Sequence, residues 1–123
     1  MKHRSGETSD CLALLERAYE IAIHLRHFEG QNLLLTNLAD YYYENHELKR
    51  AVAYGEKRIV LCRKSKNLPQ LCNALYRQSN FLHAIDEDEQ SKFYELEARE
   101  IIAYHNVNKN VFSDEFLLIQ KGE

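Results

Sequence analysis

The chain has 123 residues, enough for one domain with a modest core of its own. Its 16 Lys and Arg against 19 Asp and Glu leave a net charge of -3, which removes the electrostatic case for nucleic acid or an acidic membrane surface as partner. A hydrophobic share of 45% with four Gly and one Pro excludes a disordered or turn-rich chain and points to helices.

The opening MKHRSGETSD is polar. No apolar run long enough for a signal peptide or a membrane span follows it. Residues 1–9 therefore read as a polar extension, and the chain as soluble and cytoplasmic. From Cys11 the apolar positions Cys11, Leu14, Leu15, Ala18, Ile21, Ala22 and Leu25 recur at intervals of three and four, the mark of an amphipathic helix, expected over 10–27. A second helix is expected over 32–45 from Leu34, Leu35, Leu38, Ala39 and Tyr42. Ala51, Tyr54, Ile59 and Leu61 carry a third over 48–65. Pro69 opens a fourth over 69–85, since its missing N–H costs nothing in a first turn. Leu71, Leu75, Leu82 and Ile85 supply that helix with its apolar face. Phe93, Leu96, Ala98, Ile101 and Ile102 mark a fifth over 88–105, led by the acidic run Asp86 to Gln90, which suits the positive end of a helix dipole. No segment alternates with period two, so the fold class is all-α, with short breaks that favour antiparallel hairpins. The helical domain spans 10–106. Residues 107–123 form a tail in which a short capping helix would start at Ser113 or Asp114.

Self-similarity sharpens this picture. A shift of forty residues superimposes Cys11, Ala51 and Ser91, then Leu14, Tyr54 and Tyr94, then Ala18, Arg58 and Ala98, then Ile21, Leu61 and Ile101. The preceding helix repeats twice, with Leu35 over Leu75, Ala39 over Ser79, Tyr41 over Phe81 and Tyr42 over Leu82. Small residues thus recur where two helices would cross closely, and large ones where a groove must be filled.

With Leu35, Asn37-Leu38-Ala39, Tyr42, Ala51 and Leu61 in that order, the stretch Asn32 to Leu61 resembles a tetratricopeptide repeat. Gly55, Arg58, His46 and Gln78 depart from that pattern. The unit is forty residues rather than the usual thirty-four, and in this it is similar to the lengthened repeats of kinesin light chains and of peptide-responsive bacterial regulators. The resemblance implies hairpins stacked as a short right-handed α-solenoid whose inner face, lined by the first helix of each hairpin, binds a protein or peptide. Carried over by position, that face comprises Thr36, Asn37, Asp40, Tyr43 and Glu44 in one unit and Asn73, Tyr76, Arg77, Asn80 and His83 in the next. Asn and Arg side chains suit a peptide backbone or carboxylate, and Tyr offers a flat face with a polar tip. The Lys and paired Asn of a general carboxylate clamp are absent apart from Asn80. On this register residues 11–25 are a second helix without its first, so either the chain is a segment of a longer protein or a second chain covers that end.

Chemistry beyond binding finds little support. Cys11, Cys62 and Cys72 show no metal or redox spacing and read as reduced packing cysteines. His24 and His27 share a helical face but lack further ligands, so they read as surface histidines, and no metal or other cofactor is expected. His3, His46 and His105 are expected near breaks or at the N-terminus. Phosphate loops, nucleophile elbows and calcium-loop spacing are missing, which argues against an enzyme. Lys57, Arg58, Arg63, Lys64 and Lys66 wind around more than one face and read as a solvated outer surface. The reading is a noncatalytic binding module, the sensor or interaction part of a larger regulator, with homodimerisation as the alternative.

Overall fold

The computed structural model describes residues 5–107, with side chains described from residue 10 to residue 105. The expected capping helix in the tail and the expected position of His3 lie outside these residues. Five α-helices make up the described chain: α1 (Ser5–His24), α2 (Phe28–Glu44), α3 (Leu48–Ser65), α4 (Leu68–Ala84) and α5 (Asp88–Val107). No strand occurs among the described residues, so the protein is all-α. Among them, too, no helix is long and apolar enough to cross a membrane.

The breaks are regular to the residue. Arg26, His46, Lys66 and Asp86 each adopt positive φ, between 55° and 65°, and they stand twenty residues apart. At Arg26 the left-handed residue donates to Ile23 O at 3.0 Å while His27 N donates to Ala22 O at 2.9 Å. His46 and Glu47 make the same pair of bonds to Tyr43 O and Tyr42 O, and Asp86 and Glu87 to His83 O and Leu82 O. These bonds absorb the last carbonyls of α1, α2 and α4, and at the end of α3 Lys66 N donates to Cys62 O at 3.0 Å and Arg63 O at 3.3 Å. The next helix starts at once. His27 and Asn67 serve as N-caps, with His27 Nδ1 accepting from Gly30 N at 2.8 Å and Asn67 Oδ1 from Gln70 N at 3.1 Å. Gly30 permits the first of these, because a Cβ there would lie 2.7 Å from His27 Nδ1.

Helix limits differ from expectation where a cap decides them. α1 starts at Ser5 rather than near residue 10 and stops at His24, because Arg26 already turns left-handed. α2 begins at Phe28, four residues before the expected start, because the imidazole of His27 does the work of an Asx or Ser cap.

The contacts cluster into two units, Met1–Leu61 and Cys62–Glu123, with the division inside α3. In the first, Leu35, Leu38, Ala39 and Tyr42 of α2 and Ala51 and Ile59 of α3 are buried. Tyr42 packs edge-on against Tyr41, with ring centroids 5.4 Å apart, and stacks on Tyr54 of α3 at 5.5 Å with the planes 9° apart. That is why a tyrosine run stands at Tyr41 to Tyr43: one ring is the hairpin's core, one flanks it, and Tyr43 faces outward at 42% exposure. In the second unit Leu71, Cys72, Ala74, Leu75, Gln78, Phe81 and Leu82 of α4 are buried against a core that includes Ala98 and His105 of α5.

Several expected faces are corrected. Leu14 and Ile21 of α1, Leu25 just past its end, and Phe93 and Leu96 of α5 are exposed. α5 instead packs through Ser91, Ala98 and His105, seven apart, and Ala22 is the buried residue of α1 among those described. His105 lies in the last turn of α5, near the helix end as expected, but is fully buried. Arg58, expected on the solvated surface, is 5% exposed and donates from Nε to Asn32 Oδ1 at 2.7 Å. The corresponding pair forty residues on is Cys72 and Ala98, with Cys72 Sγ donating to Ala98 O at 3.5 Å. The same crossing is filled once by a long polar pair and once by two small residues.

His46→Gly should raise stability by about 0.5–1 kcal/mol, because a left-handed conformation costs an L-residue more than the entropy that Gly adds to the unfolded chain. Chemical denaturation followed by circular dichroism reads this as a higher midpoint at unchanged slope. Ala39→Leu should cost about 1–3 kcal/mol by overpacking the α2 to α3 contact.

Candidate functional site

In the second unit, α4 and α5 enclose a cleft of about 450 Å³ lined by Tyr76, Ser79, Asn80, His83, Asp88, Ser91, Lys92 and Glu95. Tyr76, Asn80 and His83 fall at i, i+4 and i+7 of α4, and Asp88, Lys92 and Glu95 at the same intervals of α5, so each helix turns one stripe toward the opening. The floor is the crossing itself. Ser91 Oγ donates to Ser79 O at 2.8 Å. Its single proton being used there, the 2.9 Å contact between the two hydroxyls must run from Ser79 to Ser91. Both serines are buried. They replace the Ala39 and Ala51 of the first hairpin, so a close helix approach is kept and pinned by hydrogen bonds.

Charge at the rim is largely spoken for. His83 Nδ1 lies 2.9 Å from Asp88 Oδ1, bridging the turn at Asp86. Arg99 reaches Glu95 Oε2 with Nε at 3.2 Å and Nη2 at 2.8 Å. Arg63 makes a two-pronged bond to Glu97, at 2.5 and 2.9 Å, tying the end of α3 to α5. The ammonium of Lys92 stands on the exposed rim four residues from Asp88.

Of the residues expected on an inner face, Tyr76, Asn80 and His83 line this cleft, whereas Asn73 and Arg77 do not. Asn73 is exposed and Arg77 half-buried. In the first unit Asn37, Tyr43 and Glu44 are exposed and Asp40 half-buried along one side of α2. Thr36 is engaged by its own helix, its hydroxyl donating to Asn32 O at 2.9 Å. Sequence reasoning missed the contribution of α5, namely Asp88, Ser91, Lys92 and Glu95. Its signal was present in the spacing of 88, 92 and 95 beside the small residue Ser91, but positions were carried over from the first helix of each hairpin alone.

A cluster of phenols marks the first unit. Burial holds the hydroxyls of Tyr19, Tyr41, Tyr42 and Tyr54 above the usual phenol range, and the Glu16 carboxylate adds to this at Tyr41, Tyr42 and Tyr54. Tyr42 also donates to Glu16 Oε2 at 3.4 Å, joining α2 to α1. Arg50 over the Tyr42 ring, at 5.6 Å, works in the opposite direction. Lys57 Nζ sits 5.4 Å from the Tyr54 centroid. These rings are structural cement with cationic lids.

No protein-family model matches the chain, and no curated protein matches it significantly.

Two outcomes test this geometry. Ser91→Ala should cost about 1–3 kcal/mol in a denaturation experiment, because the Ser79 carbonyl and hydroxyl lose their buried partner. Stability should also fall as pH rises past about 10, since the phenols ionise in the unfolded chain before they do in the fold, and it should be insensitive to these groups below that value. A Tyr42→Phe, Tyr54→Phe double variant should show a shallower alkaline fall in thermal midpoint.

Proposed function

We propose that the protein is a noncatalytic, tetratricopeptide-like binding module that takes an extended peptide in the cleft between α4 and α5, as the interaction part of a larger regulator working in the reducing cytoplasm. The observation that carries this reading is the convergence of Tyr76, Asn80 and Lys92 on one cleft of about 450 Å³. A tyrosine face accepts an apolar side chain, and a side-chain amide matches both the donor and the acceptor of a peptide group. An ammonium on the rim accepts a carboxylate. With Glu95 paired to Arg99 and Asp88 hydrogen-bonded to His83, the Lys92 ammonium is the cleft's group for an acidic side chain or a terminal carboxylate. The Ser79 to Ser91 floor keeps the two stripes at fixed separation, so little order has to be imposed when the peptide arrives.

Selection of peptides from a random library against the whole chain, followed by fluorescence polarisation, tests the proposal. Tyr76→Ala and Lys92→Ala should each weaken the selected peptides by about 1–3 kcal/mol without loss of helicity. Amidating the peptide's C-terminus distinguishes a terminal carboxylate from an acidic side chain. Selected peptides that bind both variants normally, while Asn37→Ala or Tyr43→Ala abolishes capture, would move the site to α2 and overturn the reading.

A further inference from the structure

α1 carries a seam that the other long-register helices bury and that it leaves open. Cys11, Leu14, Ala18, Ile21 and Leu25 follow one another at intervals of three, four, three and four, the spacing by which one helix meets another along its length. The equivalent seam of α3 faces the helix before it: Ala51 is buried, Tyr54 stacks on Tyr42, and Arg58 bonds Asn32, the last two partners both on α2. The seam of α5 does the same. Ser91 bonds Ser79 and the Ala98 carbonyl accepts from Cys72, both on α4. In α1 Leu14 is 69% exposed and Ile21 52%, and Leu25, one residue past its end, is 68% exposed. α1 meets α2 with another side, where Ala22 is buried and its carbonyl accepts from Gln31 Nε2 at 3.3 Å.

We infer that this seam is a homodimer interface, in which α1 packs antiparallel on α1 of a second copy about a two-fold axis near Ala18. The residues are self-complementary in that arrangement. Ala18 is small enough for close approach at the axis, Leu14 and Ile21 lie on either side of it, and Cys11 and Leu25 lie at matching distances toward the ends. Charge points the same way. Asp10 sits at one end of the seam and His24 and Arg26 at the other, so antiparallel pairing sets acid against base at both ends. Parallel pairing would place Asp10 beside Asp10 and align the two helix dipoles. Each copy contributes the same patch, as a closed two-fold dimer requires.

The interface is independent of the cleft between α4 and α5, and it is tested on the full chain by sedimentation equilibrium and light scattering. The expected result is a concentration-dependent dimer. Leu14→Lys and Ile21→Lys should each raise its dissociation constant by about tenfold or more, with helicity unchanged because both side chains are exposed in the monomer. Crosslinking sets the orientation. In the antiparallel arrangement the two Cys11 residues lie fourteen helical residues apart, about 21 Å, beyond reach of a disulfide. Mild oxidation should therefore leave the native chain uncrosslinked, while Ala18→Cys in a Cys11→Ser background should give a covalent dimer. A monomer at every accessible concentration, a dimer indifferent to both lysine variants, or ready crosslinking through Cys11 would each overturn the inference.

Discussion

The left-handed residue that closes each of the first four helices is the constraint on which the rest of this architecture depends. Because Arg26, His46, Lys66 and Asp86 recur every twenty residues, α2, α3, α4 and α5 start twenty residues apart, at Phe28, Leu48, Leu68 and Asp88, and positions forty apart stand at the same step of their helices. A one-residue change in any break would rotate the following helix by about 100° and carry its packing face away from its partner. None of the four positions is a glycine. The conformation is held by backbone hydrogen bonds to the end of the preceding helix, paired at Arg26, His46 and Asp86 and from Lys66 N alone at the third break, at a local cost of about 1–2 kcal/mol per break.

Once the phase is fixed, chemistry can vary at equivalent positions without disturbing the frame. The crossing of small residues is Ala39 and Ala51 in the first hairpin and the hydrogen-bonded Ser79 and Ser91 in the second. The flanking contact is Asn32 with Arg58 in one and Cys72 with Ala98 in the other. A buried guanidinium is tolerated because it is hydrogen-bonded. The serine floor gives the second unit a polar cleft where the first has alanines.

Much of this was legible in the sequence. The helix count, the forty-residue register and the burial of Leu38, Ala39, Tyr42 and Ala51 follow from apolar spacing and from where small residues recur. What was not legible depended on side chains acting out of type. His27 caps a helix through its imidazole, so α2 begins earlier than an Asx or Ser signal would place it. Arg58 reads as surface charge until Asn32 is seen to receive it. Apolar residues mislead in the opposite sense: Leu14, Phe93 and Leu96 keep helical spacing yet stand exposed, because the packing face runs through the small residues between them. Tyr76, Asn80 and His83 belong to the α4 face that the resemblance singles out, whereas the α5 side of the cleft comes from a helix to which the resemblance assigns no inner-face residues.

The central claim is that the α4 and α5 stripes act together as one peptide site. Nuclear magnetic resonance of the labelled chain, titrated with a short extended peptide ending in a free carboxylate, tests this most directly. The account predicts shifts that saturate together at the Tyr76 ring, the Asn80 side-chain amide and the Lys92 ammonium, with the Ser91 amide following as the floor responds. Shifts confined to α2, or to the basic residues Lys64 and Lys66, with these four signals unmoved, would contradict it.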